Sequence, residues 1–149
     1  RGLRLTSLSK TLREMYEFLD HPSEAMVRVS AGTIDEVFVD SAKALFELMT
    51  DTQKLRGERE FKIEQVSQDK VLLLIDWLNR LILLHEVENV FLCEFQANIL
   101  PAWSLSATVK GETISPNQER RHHAKGATYG QLQWNETPEG HQVQFVIDV

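Results

Sequence analysis

The chain has 149 residues, 42% of them hydrophobic and 26% charged, ordinary values for one globular domain with a real core. A formal net charge of -6, from 16 basic and 22 acidic residues, argues against a surface built for nucleic acid, so no strong direct nucleic-acid binding is expected. The single cysteine, Cys93, rules out an internal disulfide framework and makes the cytoplasm the default compartment. The longest apolar run, Val71 to Ile75, is far too short to span a membrane.

Residues 1–14, RGLRLTSLSKTLRE, are basic and share no pattern with the rest of the chain. They carry no apolar stretch followed by a small-residue cleavage site, so a secretory signal is not expected. They read as an added or upstream extension, and residues 15–149 as the domain. YEFLD (16–20) and AMVRVSA (25–31) predict two short strands separated by a bend at His21-Pro22-Ser23-Glu24, because Pro22 lacks a backbone donor and holds His21 extended. Thr33 followed by Glu36 matches a capping box. It opens a helix whose apolar stripe is Ile34, Val37, Phe38, Ala42, Leu45, Phe46 and Met49. A polar loop at 50–57 leads to a strand at 58–66, and a second helix follows from about Asp69 to Val87.

That second helix is apolar on more than one side. Val71, Leu74, Ile75, Leu78 and Ile82 can face a sheet, while Leu73, Trp77 and Leu84 crowd the flanks. Such a helix is either deeply buried or partly an interaction surface, and burial is the expectation. Three longer strands are predicted at 90–99, at 102–111 and from about His123 to Trp134, with Phe91, Cys93, Phe95, Ala97 and Ile99 on one face of the first. The turn TPEG (137–140) leads to a final strand in which Val143, Phe145, Ile147 and Val149 alternate with Gln144, Val146 and Asp148. Together these predict an α+β fold, a two-layer sandwich with one largely antiparallel or mixed sheet covered by two helices.

Few familiar chemical motifs are present. His122 and His123 are adjacent and would point to opposite faces of a strand, His85 with Glu88 is not HExxH, and the histidines read as surface or loop residues. There is no GxGxxG, Walker A loop or GxSxG. Oxygen ligands offer more. Asp148 precedes Val149, the last residue of the sequence, so a side-chain carboxylate and an α-carboxylate would stand one residue apart, with Asp20, His21 and Glu24 in the first bend. If bend and strand end meet, they could hold a hard, calcium-like cation; the other reading is a solvated acidic turn and an edge strand that stops. Lys125 is the other unusual residue, a long cation in the small-residue tract AKGATY. It either snorkels to a strand edge or addresses a partner.

The ordered tracts YEFLDHPSEAMVRV, GTIDEVFVDSAKALFELMTD, LLIDWLNRLILLHEVENVFLCEF, AKGATYGQLQ and VQFVIDV resemble the archease family across residues 15–149. The resemblance implies a small α+β protein that acts as a cofactor of an RtcB-type RNA ligase. That ligase joins RNA ends, tRNA halves among them, through a histidine guanylylated from GTP with divalent metal. The cofactor so implied promotes guanylylation and multiple turnover and has no established catalysis of its own. The family's DHTAD motif stands here as Asp20-His21-Pro22-Ser23-Glu24. This implies calcium, or another divalent cation, at Glu24, Asp148 and Val149, with Asp20 and His21 in support. The family's KA(I/V)TYH lysine, implicated in ligase activation, matches Lys125. Three departures are Glu24 for Asp, Pro22-Ser23 for Thr-Ala, and Gly130 where His is common.

Two rival functions use the same residues. A small metal-dependent hydrolase would draw on Glu24, Asp148 and His21 and would need an open position on a water-activating ion. A general chaperone or binding module would expose Trp77 and Leu73.

Overall fold

A computed structural model describes residues 16–19 and 23–149. Asp20, His21 and Pro22 lie outside the described residues, as do residues 1–15. The elements run β1 (Tyr16–Leu19), β2 (Glu24–Ala31), α1 (Ile34–Met49), a 3-10 turn (Thr52–Lys54), β3 (Arg59–Val66), α2 (Lys70–Glu88), β4 (Val90–Leu100), β5 (Ser104–Thr113), β6 (Gly126–Thr137) and β7 (Gly140–Asp148). The fold is α+β and every strand pairing is antiparallel. The strands divide, however, between two sheets, ordered β1-β2-β7-β6 and β3-β5-β4, where the sequence alone predicts a single sheet.

The two-sided apolarity of the helices explains that division. Each helix packs against strands of both sheets, so a single apolar stripe would leave one sheet uncovered. In α2 the buried set is Leu73, Leu74, Ile75, Trp77, Leu78, Leu81 and Ile82. Leu73 and Trp77 are fully buried, and the Trp77 indole N–H donates to the Phe38 carbonyl at 2.9 Å. A chaperone surface made of those two residues is therefore corrected: they are core. Each such burial contributes about 1.5–3 kcal/mol. In α1 the capping box forms in both directions, Glu36 N–H to Thr33 Oγ1 and Glu36 Oε1 accepting from the Thr33 N–H.

Two expectations about the strands are corrected. In β4 the register shifts between Leu92 and Glu94, leaving Cys93 as a bulge. Leu92, not Phe91 or Cys93, therefore shares the face of Phe95, Ala97 and Ile99, opposite Gly111, Val109, Ala107 and Leu105. Gly111 permits the bulge, since a Cβ there would lie 2.0 Å from the Phe91 carbonyl oxygen. β6 begins at Gly126 rather than near His123. The reason is that the Arg121 and His122 N–H groups are spent on the Met49 and Leu48 carbonyls, which the last turn of α1 leaves without helical partners.

His85 is likewise not a surface residue. It is buried, stacked on Phe91 with ring centroids 5.3 Å apart, and its Nδ1 lies 2.8 Å from the Val90 carbonyl. A carbonyl only accepts, so Nδ1 carries a proton.

Candidate functional site

Alternation in β2 and β7 puts Ala25, Val27 and Val29 against Ile147, Phe145 and Val143, all buried in the core. The intervening pairs lie on the opposite face: Arg28 with Gln144, Met26 with Val146, and Glu24 with Asp148. The hairpin into β7 fixes this register at Gly140, whose φ of 142° and whose absent Cβ, which would sit 2.3 Å from the Ala31 carbonyl oxygen, both require glycine.

The last row of the sheet brings together residues far apart in sequence. Asp148 is the register partner of Glu24 on one side and of Gly126 on the other. The Lys125 N–H donates to the Asp148 carbonyl at 2.7 Å, and the Val149 N–H to the Ser23 carbonyl at 3.4 Å. Glu24, Asp148, Val149 and Lys125 thus occupy one end of one sheet. Two carboxylates directly opposite each other on one face repel, so this pair suits a cation between or beside them. Its donors are all oxygen, the set preferred by calcium or magnesium over zinc. Lys125 is exposed at the loop-to-strand junction, and among the described residues its ammonium group makes no ion pair.

Other chemistry does not converge there. Among the described residues, no group of three or more His, Cys, Asp or Glu side chains is placed to hold a metal. His122 and His123 sit in the loop before β6, and His123 lies 3.8 Å from Glu86. Burial pushes the Cys93 thiol up to about 11, away from the thiolate form that reacts. Farther along the outer face of the same sheet, a shallow cleft is lined by Arg28, Gln133, Asn135, Gln142 and Gln144. It contains no acid–base pair. No helix among the described residues is long and apolar enough to cross a membrane.

One contact at the strand end carries no signal in the sequence. Asn79, on the exposed side of α2, accepts the Ala127 N–H at 2.8 Å and donates to the Ala127 carbonyl at 3.1 Å. A polar residue on a helix flank is ordinarily solvated, and nothing local says that it reaches β6.

Comparison with known proteins agrees with this architecture. The model of the Archease protein family (MTH1598/TM1083) matches residues 16–149. Protein archease of Methanosarcina mazei is 33% identical over 139 residues, covering 90% of this chain and 95% of the relative. Protein archease of Methanothermobacter thermautotrophicus is 33% identical over 121 residues, covering 79% and 86%. The solution structure of Methanobacterium thermoautotrophicum protein 1598 superposes with a TM-score of 0.80 at 30% identity, covering 90% of this chain and 98% of that one. The small α+β domain therefore has known counterparts. The chain belongs to the archease family.

Proposed function

We propose that this protein is a non-enzymatic cofactor of an RtcB-type RNA ligase, acting in the cytoplasm to promote ligase guanylylation and repeated turnover in tRNA splicing or RNA repair. The observation that carries the reading is the meeting of Glu24, Asp148 and Lys125 at one sheet end in a chain of this family. Glu24, Asp148 and Val149 would hold a calcium-like cation, which supplies the positive charge that offsets the repulsion between the two carboxylates. Asp20 and His21 would support them.

The mechanism is a population shift. The cofactor binds best to the ligase conformation ready to accept GMP or release product, and stabilises it by that difference in affinity. Lys125 is the exposed cation presented to the partner. The acidic groups beside it set orientation and encounter rate more than raw affinity. Incubating purified ligase with labelled GTP, with and without this protein, tests the reading. More labelled ligase with the protein supports it, and equal labelling removes it. The hydrolase alternative turns on His21, which lies outside the described residues.

A further inference from the structure

We infer that Asn79 is the positioning residue for Lys125, locking the strand-end cluster to α2; the functional consequence rests on the proposed role of Lys125. β6 is poorly held where it matters most. Its ladder with β7 runs for only three residues, Gly126, Ala127 and Thr128 opposite Asp148, Ile147 and Val146, and then breaks until Gln133. Before it lies a segment without regular structure. The stretch that follows Lys125 is thus a three-residue ladder, with a segment without regular structure before it and a break in pairing after it, bonded to β7 along one edge alone.

Asn79 supplies the other edge. Its carboxamide takes both polar groups of Ala127, the N–H at 2.8 Å and the carbonyl at 3.1 Å, as a neighbouring strand would. This seals an edge that would otherwise be open to another chain. Lys125 stands two residues away and is itself tied to Asp148. At the far end of β6 the same helix is tied down again, by Lys70 over the Trp134 ring at 4.7 Å and paired with Glu136. Lys70 fixes the general course of α2 along β6, and Asn79 fixes the residues beside the cluster. Losing the carboxamide frees Ala127 on one side and lets Lys125 and the Asp148 carbonyl move together.

Amide hydrogen exchange and ligase stimulation test this in a cycle of Asn79→Ala, Lys125→Ala and the double variant. In Asn79→Ala, exchange at Lys125 and Ala127 should quicken at least tenfold while core amides such as Val27 and Leu78 keep their protection. Ligase stimulation should fall toward that of Lys125→Ala, and the double variant should be no worse than Lys125→Ala alone. If the alanine variant does not fold, Asn79→Leu, which keeps the side-chain bulk and removes both hydrogen-bonding groups, carries the same comparison. Unchanged exchange at Lys125 overturns the inference whatever the ligase does. So does a double variant that loses stimulation beyond Lys125→Ala, since Asn79 would then act through something else. If the unaltered protein fails to stimulate the ligase, the proposed function falls and the exchange arm alone decides the positioning of Lys125.

Discussion

Glu24 and Asp148 face each other directly across the β2–β7 ladder, on the face of the sheet turned away from the core. Evolution of a sheet ordinarily avoids two like charges in that relation. A cation held between them, as proposed above, would relieve that repulsion. Titrating metal-stripped protein with calcium should therefore show a site that Glu24→Ala abolishes. Glu24→Asp should bind as well or better, since it restores the last aspartate of the DHTAD pattern. Equal affinity in all three proteins would mean that position 24 is not a ligand.

Lys125→Ala should leave the fold intact. The side chain is exposed, so its truncation should cost under about 1 kcal/mol, while ligase stimulation drops. The check is a urea midpoint beside a stimulation assay. A sharp fall in the midpoint with stimulation unchanged would make Lys125 a structural residue.

Gly111→Ala should be the opposite case, damaging to stability and remote from the strand end. A methyl group there meets the Phe91 carbonyl at 2.0 Å and the Leu92 Cα at 2.7 Å, backbone atoms that cannot rotate away. About 1–3 kcal/mol should be lost, the usual range for overpacking. A urea midpoint within error of the original would show that the β4 bulge can move.

Acid should weaken the fold partly through His85. Burial lowers its pKa from the ordinary 6.5; the bond to the Val90 carbonyl and the Glu86 charge oppose this without reversing it, and His123 and Arg120 add to the lowering. The folded pKa lies below the unfolded one, so as pH falls the unfolded chain takes the proton first. The contribution is whole above about pH 6.5 and is lost as pH drops through that value toward the folded pKa. His85→Phe keeps a ring beside Phe91 and removes the titration. Between pH 8 and pH 5.5 the variant should lose less stability than the unaltered protein. An equal or larger loss in the variant would contradict this.

The local parts of the fold were legible. Thr33 and Glu36 marked the start of α1 because a capping box is written within four residues, and the alternation in β7 named its buried face. What stayed hidden depends on residues distant in sequence. The bulge at Cys93 arises because Gly111, on another strand, lets the backbone approach; alternation within β4 alone cannot reveal it. The late start of β6 comes from α1 carbonyls claiming the Arg121 and His122 amides. The burial of His85 comes from its packing between Phe46 and Phe91. At the site, Glu24, Asp148, Val149 and Lys125 were named from residue type and family likeness, whereas their adjacency is a matter of register. Asn79 was invisible because its partner, Ala127, offers only backbone.

The most direct test of the central claim counts RNA joined per ligase molecule. With purified RtcB-type ligase, GTP, divalent metal and broken RNA in excess, a substoichiometric amount of this protein should raise the yield well beyond one joined RNA per ligase. Lys125→Ala at the same concentration should not. A yield unchanged by the unaltered protein would contradict the account.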